Sequence, residues 1–239
     1  MIILTGDIHG DISRLIQNND PKNPINVLDE KDTVIILGDF GLPWNEPPSS
    51  NELAALEYLE NAPFTTLFID GNHENYPRLQ SLPTVSGYGG SLGMLNNSVY
   101  HLKRGEIYTI QGMKFLTFGG AKSIDRSYRV KGVSWYENEI PSIKDEQNAL
   151  KNIVQLGNEV DFVLTHTLPS DGMRMFNDKY GTSGIRQFGH RTFHDPTSDI
   201  LQRIKGAIKY NKWYAGHLHK DVQLGEYRLL WQNLIILEK

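Results

Sequence analysis

Short β-branched apolar runs that recur with helical stretches between them constrain this chain more than any other feature. They are Ile2 to Thr5, Thr33 to Leu37, Thr66 to Ile69, Phe162 to Thr165 and Trp213 to Ala215. Runs this short and this uniformly apolar belong to strands covered on both faces, so the pattern predicts a buried, layered α/β sheet. The helices between them carry their own start signals: SSNELAALEYLENA offers Ser49 as N-cap with Glu52 three residues on, and DPTSDILQRIKGAIKY offers Asp195 followed by Pro196. KDEQNALKNIVQLG is a third amphipathic stretch, closed by Gly157. The middle of the chain, VYHLKRGEIYTIQGMKFLTFGG, alternates with period two around Gln111-Gly112 and predicts consecutive antiparallel strands, and EYRLLWQNLIILEK predicts a closing hairpin. Two β-rich regions of these kinds fit two sheets packed face to face with helices outside. The segments from Ser86 to Ser98 and from Leu168 to His194 read as long surface loops. With no repeat and no linker-like tract, residues 1–239 are expected to form a single domain.

Composition narrows the chemistry. With 39% hydrophobic and 22% charged residues over 239, the chain has ordinary globular material and can bury a substantial core. Cys is absent, so neither disulfides nor thiolate metal sites are available, and any metal must be held by His, Asp, Glu, Asn or backbone oxygen. No basic leader and no apolar run long enough to span a bilayer is seen, so a soluble, cytoplasmic protein without a membrane partner is expected. A net charge of −4, from 24 basic and 28 acidic residues, argues against sequence-independent duplex binding but leaves a small anionic substrate open.

Each of the five apolar runs ends in residues able to bind a metal: TGDIH with Asp7 and His9, LGDFG with Asp39, DGNHE with Asn72 and His73, LTHTL with His166, and AGHLH with His217 and His219. In open α/β sheets ligands bind beyond the carboxyl ends of the strands, so residues far apart in sequence can converge there. Gly6, Gly38, Gly71 and Gly216 each precede such a residue and would let the backbone turn sharply and approach an ion. A pair of divalent ions about 3.5–4 Å apart needs one bridging carboxylate and several neutral donors. Asp39 is the natural bridge. The mixed nitrogen and oxygen set suits Mn, Fe, Zn, Ni or Co better than Mg or Ca, and with only Asp7 and Asp39 carrying formal charge the loaded site would be net positive and attract phosphate. Singly, these residues have plainer readings: Asp7, Asp39 and Asn72 as cap or turn residues, His166 as a hydrogen-bonded histidine at a sheet edge. The joint, ordered pattern is what argues for a metal centre.

The series D-x-H, G-D, G-N-H-E, a lone strand-end H and G-H-x-H resembles the calcineurin-like metallophosphoesterase family over nearly the whole chain. The resemblance implies a four-layer αββα sandwich of two mixed β-sheets flanked by helices, with a dinuclear metal centre at one edge. One ion would be held by Asp7, His9, Asp39 and His219, the other by Asp39, Asn72, His166 and His217. By the same resemblance His73 would contact the phosphate and protonate or stabilise the leaving oxygen, oriented by Glu74, while a hydroxide bridging the metals attacks phosphorus in line. Mn is the metal it favours. One departure stands out. Many relatives carry an acidic residue or Asn three positions after the G-D aspartate, often followed by a phosphate-binding arginine, whereas GDFGLPW puts Leu42 there with no arginine after it. That argues against the protein-phosphatase branch. GDFGLPW, FIDGNHENY and FGGAKSIDR together resemble a bacterial and bacteriophage branch of the family, from which no substrate is carried over.

The phosphate-binding cation must then come from elsewhere, and Lys122, Arg126 and Arg129 in KSIDRSYR are the candidates, following the strand expected over Met113 to Phe118. His101 reads as a packed or surface residue, and His190 and His194 as surface or substrate-loop residues rather than a third metal site. Trp135, Tyr136, Trp213, Tyr214 and Trp231 read as core or rim rather than a base-stacking platform. The expected function is dinuclear-metal-dependent hydrolysis of a phosphodiester or phosphomonoester of a nucleotide or other small molecule. A nuclease acting on short single strands is the alternative, and a non-catalytic interaction scaffold a lesser one, disfavoured by the intact ligand set with His73.

Overall fold

The computed structural model describes residues 1–181 and 193–237. Among these described residues, thirteen strands form two mixed sheets. The first, in the order β13-β1-β2-β3-β6-β5-β4, contains β1 (Ile2–Thr5), β2 (Thr33–Ile36), β3 (Thr65–Phe68), β4 (Thr84–Gly87), β5 (Gly90–Met94), β6 (Val99–Leu102) and β13 (Ile235–Leu237). The second, in the order β11-β12-β10-β9-β8-β7, contains β7 (Ile107–Ile110), β8 (Met113–Phe118), β9 (Glu159–Thr165), β10 (Lys209–Ala215), β11 (Val222–Leu224) and β12 (Tyr227–Leu229). Strands β1, β2, β3 and β6 run parallel, as do β8, β9, β10 and β12, and the antiparallel members lie towards the edges.

Alternation along the strands builds the layers. Ile2 and Leu4 of β1 point into the space between the sheets, where they meet Phe115, Phe162, Leu164 and Tyr214, while Ile3 points outward with Val34, Ile36 and Phe68. That outer face is covered by α1 (Ser50–Asn61) and α2 (Tyr76–Gln80), through Leu59, Tyr76 and Leu79. The outer face of the second sheet, with Leu116, Val163 and Trp213, is covered by α3 (Ile143–Leu156), α4 (Ser170–Tyr180) and α5 (Pro196–Ala207). The result is the αββα sandwich.

Helix starts follow the local chemistry. Ser49 accepts from the Glu52 amide and Asp195 from the Thr197 amide, and Ser142 with Asp145 forms a full capping box on α3, which Gly157 ends at φ 89°. The Glu52 side chain does not turn back to the cap; it is buried and accepts from Trp44, Asn45 and Arg78.

Several expectations for loops and hairpins differ from the structure. Ser86 to Ser98 contains most of the β4–β5 hairpin, and the stretch from Leu168 to His194 holds α4 at Ser170–Tyr180. The chain changes sheets between β6 and β7 and again between β12 and β13, so VYHL and IYTI are not partners and the closing segment is not a hairpin. Period-two alternation marks which face of a strand is buried but not which neighbour it pairs with.

Candidate metal centre

Because β1, β2 and β3 are in parallel register, their carboxyl ends share one edge, and β8, β9 and β10 present theirs at the same edge of the facing sheet. The loops that leave these ends are stitched to one another. The Ile8 and His9 amides donate to the Asp39 carbonyl at 3.2 and 2.8 Å. The His73 amide donates to Asp39 Oδ1 at 2.7 Å, and the His217 amide to Asp7 Oδ1 at 3.0 Å. His166 Nδ1 donates to the Leu37 carbonyl at 2.8 Å. Asp7, His9, Asp39, Asn72, His73, His166, His217 and His219 are thereby brought to one place.

Close approach has left marks on the backbone. Among the described residues, seven non-glycine positions have positive φ, and four of them are His9 (47°), Asp39 (49°), His217 (65°) and His219 (47°). A left-handed conformation costs an L-residue about 1–2 kcal/mol, and strain of this kind concentrates at functional sites. Of the four glycines that precede candidate ligands, Gly38 takes φ 88°, and a Cβ there would lie 2.2 Å from His166 Nδ1. Gly71 is required by space instead: a Cβ would fall 2.0 Å from Asp39 Oδ1.

The donor atoms face one another in a way that fits cations. Donor atoms of Asp7, His9 and His219 all lie within 4.8 Å of one another. His9 Nε2 stands 3.2 Å from His219 Nε2, and two ring nitrogens at that separation must share either a proton or a cation. Asp7 Oδ2 is buried and accepts no directed hydrogen bond, although His219 Nε2 is 3.0 Å away as an ion-pair contact. With Nδ1 of His166 committed to Leu37, its Nε2 faces Asn72 Oδ1 at 3.1 Å and Asp39 Oδ1 at 3.3 Å. The His217 ring packs 4.9 Å from that of His166. His9 Nε2, 3.8 Å from Asp39 Oδ2, joins the two halves.

The electrostatics follow from burial and these contacts. Burial would lower His166, but Asp39, Asp7 and the Leu37 carbonyl raise it to about 10. Burial, reinforced by the His166 charge, pushes His217 down to about 3, so its ring is neutral with one nitrogen lone pair to offer. The Asp7 contact raises His219 against burial. Burial would raise Asp39, but His166, with His73 and His9, holds it well below the usual carboxylate range.

Around this cluster the other expected site residues separate. Arg129 Nη2 lies 3.1 Å from His73 Nε2, braced by Asp125 at 2.6 Å and by the Ser134 carbonyl. Burial lowers His73, helped by Arg129 and His9 and opposed by Asp39. Arg126 turns away to Glu139 and lies over the Trp135 ring, and Lys122 donates to the His194 carbonyl. Glu74 is fully committed to backbone, accepting from the amides of Phe40, Gly41 and Gly71 at 2.9, 3.2 and 3.3 Å. Its contacts hold the Asp39 loop against the Asn72 turn rather than the His73 ring, and burial with neighbouring Asp39 raises its carboxyl well above the usual range. Leu42 fills the apolar layer beneath the loop with Ile8, Ile12 and Phe40.

His101 is buried and paired with Asp70 at 3.0 Å, and His194 pairs with Asp199 at 3.0 Å; His190 lies outside the described residues. Trp213 and Tyr214 are core residues, whereas Trp231 stacks on His219 at 5.3 Å and walls the site. The sequence reading passed over two residues behind Asn72: Ser123 Oγ accepts from Asn72 Nδ2 at 3.1 Å, and Glu139 in turn holds Ser123. Their only sequence signal is that Ser123 follows β8, a sixth strand reaching the same edge.

Comparison with known proteins agrees with this geometry. The sequence profile described as calcineurin-like phosphoesterase matches residues 1–221. Lariat debranching enzyme from Homo sapiens is 27% identical over 91% of this chain and 42% of its own length. The enzyme of that name from Schizosaccharomyces pombe is 26% identical over 79% and 42%, and that from Danio rerio 23% over 91% and 40%. The chain thus spans about two fifths of these curated relatives. With a family match over most of its length and strand ends that gather the family's motifs at one edge, the chain belongs to the calcineurin-like phosphoesterases.

Proposed function

We propose that this chain hydrolyses a phosphodiester or phosphomonoester of a nucleotide or another small molecule, using two divalent ions, with Mn as the native metal. Asp7, His9, Asp39 and His219 would hold one ion, and Asp39, Asn72, His166 and His217 the other. The observation that carries the reading is the convergence of ligand atoms, Asp7 Oδ2, which accepts no directed hydrogen bond, towards His219 Nε2, and His166 Nε2 towards Asn72 Oδ1 and Asp39 Oδ1. When bound, such a pair of cations supplies Lewis acidity to the phosphoryl oxygens and acidifies water.

The chain's own residues supply the rest. Arg129 and His73, 3.1 Å apart, form a joint anion contact at the edge of the cluster, and Arg129 is the cation that the Leu42 position does not provide. The guanidinium donates to His73 Nε2, which sets that nitrogen as acceptor until a phosphate takes the guanidinium for itself. Nε2 of His73, once released, would take up a proton from solvent and could then pass it to the leaving oxygen. Glu74 supports this site through the backbone it holds.

The test is to strip metal, add back Mn and assay chromogenic phosphodiesters and phosphomonoesters with wild type beside His73→Ala. The reading predicts turnover that needs metal and falls about 10²–10⁴-fold in the variant, the usual worth of a positioned acid or base. Wild type that never exceeds the variant on any ester rejects it.

A second reading, cleavage of short single-stranded nucleic acid, is favoured by one observation: relatives covering most of the chain are named for debranching lariats. Digestion of labelled oligonucleotides, linear and branched, at two salt concentrations separates it from hydrolysis of small nucleotides.

A further inference from the structure

Asn72 is the one candidate ligand whose coordinating atom has to be selected. A carboxylate offers equivalent oxygens and an imidazole offers nitrogen on either side, but a primary amide turned by half a rotation presents NH₂, which cannot bind a cation. Which way an amide points is set by its hydrogen-bond partners. Here those partners form a directed chain that begins three residues after Gly120, in the loop that leaves β8.

Glu139 is fully buried, and its carboxylate accepts from the Ser123 amide (2.7 Å to Oε1), from the Ser123 hydroxyl (2.8 Å to Oε2) and from Arg126 Nε (2.7 Å to Oε1). An ionised carboxylate only accepts, so the single Ser123 hydroxyl proton is committed to Glu139. Ser123 Oγ then has only lone pairs left to offer Asn72, 3.1 Å away, and it can accept only from the amide nitrogen. Oδ1 is thereby turned to the opposite side, 3.1 Å from His166 Nε2. Arg126 completes the chain by opposing the burial that raises the Glu139 carboxyl above its ordinary value; a protonated Glu139 would donate to Ser123 and free the hydroxyl proton for Asn72.

We infer that Ser123, polarised by Glu139, is a positioning residue that fixes the Asn72 amide with its oxygen towards the metal cluster. The inference rests on the reading of Asn72 as a ligand. It gives a purpose to the pair of half-buried Arg126 and buried Glu139, which the anion contact does not use.

The experiment titrates Mn²⁺ into metal-free protein by calorimetry, for wild type, Ser123→Ala and the shape-matched pair Ser123→Thr and Ser123→Val, with the thermal midpoint of each metal-free protein measured alongside. Ser123→Ala is expected to weaken one of two sites by about 10–100-fold, the usual cost of losing a partner of a ligand, and to leave the other unchanged. Threonine keeps the hydroxyl and valine lacks it, so affinity should follow Thr and not Val, whatever packing cost the two share. Adding Asn72→Asp to Ser123→Ala should recover the weakened site, because a carboxylate needs no orienting; a purely structural role for Ser123 predicts no such rescue. Two intact sites of wild-type affinity in both Ser123→Ala and Ser123→Val overturn the positioning role alone. A wild type that binds no Mn²⁺ overturns the metal reading beneath it.

Discussion

At the residue scale, the signature of this site is conformational. His9 is exposed and yet held at φ 47°, an arrangement that costs stability and brings no apolar burial. Replacing it with glycine removes the strain but also the imidazole, so His9→Gly is expected to keep or raise the unfolding free energy of the metal-free protein, by up to about 1 kcal/mol, while metal affinity falls. Chemical denaturation with and without Mn separates the two effects. Asp70, two residues before Asn72, is a different case. It is buried, accepting from Arg104 Nε at 2.8 Å, the Tyr76 hydroxyl at 3.0 Å and His101 at 3.0 Å. Burial would raise its carboxyl, but Arg104 and His101 hold it far below its ordinary value of 3.8. A depressed folded pKa stabilises the protein above the unfolded value and loses that contribution as pH falls below it. Asp70→Asn, which leaves buried Arg104 with only the longer 3.7 Å ion-pair contact to Asp145, should therefore cost about 3–5 kcal/mol at pH 7, and the gap to wild type should narrow only below about pH 4. A gap that stays constant from pH 7 to pH 3 would mean that the ion pair is not what Asp70 contributes.

At the element scale, the segment after β8 carries what the parallel strands do not. It places Ser123 against Asn72, and Arg129 against His73, from a loop with only a short 3₁₀ turn at Arg126–Tyr128. Arg129→Ala should raise KM for a phosphate ester by about 10–100-fold, in line with a charge-assisted hydrogen bond of roughly 1.5–3 kcal/mol, and Arg129→Lys should recover only part of it because a point charge cannot reproduce the planar fork. Steady-state kinetics on one good ester decide this. The sequence had narrowed the cation to Lys122, Arg126 and Arg129 by position alone. It could not choose among them, since the choice depends on Glu139 capturing Arg126 and on the His194 carbonyl capturing Lys122. The β7–β8 pair forms around Gln111-Gly112 as expected, but the other two hairpins do not, for a related reason: at 103–106 and 230–234 the connection crosses from one sheet to the other, and alternation along each strand is the same whichever sheet receives it.

At the scale of the whole molecule, two sheets facing across one apolar layer bring β1–β3 and β8–β10 to a common edge, and metal would bind across that joint. Metal should therefore stabilise the fold as any native-state ligand does, by about 2.7 kcal/mol at a hundredfold excess over Kd, read as a rise in Tm that chelation reverses. The effect should depend on pH. His166 has an ordinary value of 6.5 and a folded value of about 10 without metal, so its charge stabilises the metal-free fold fully below 6.5 and that stability is lost as pH rises towards 10. A cation must displace that proton, so Mn affinity should increase with pH across the same interval, with proton release detectable by calorimetry in buffers of different ionisation enthalpy. Affinity independent of pH there would sink the assignment of His166 as a ligand. The strand ends and the residue types waiting at them are legible from the chain's local pattern, because burial on both faces and ligand chemistry are written locally, in β-branched runs and in the Asp, His and Asn that follow them. Only the tertiary structure decided which donor atoms face each other, which arginine reaches His73 and which way the Asn72 amide points, because each is set by partners 50 to 130 residues away whose nearness exists only once the two sheets have packed.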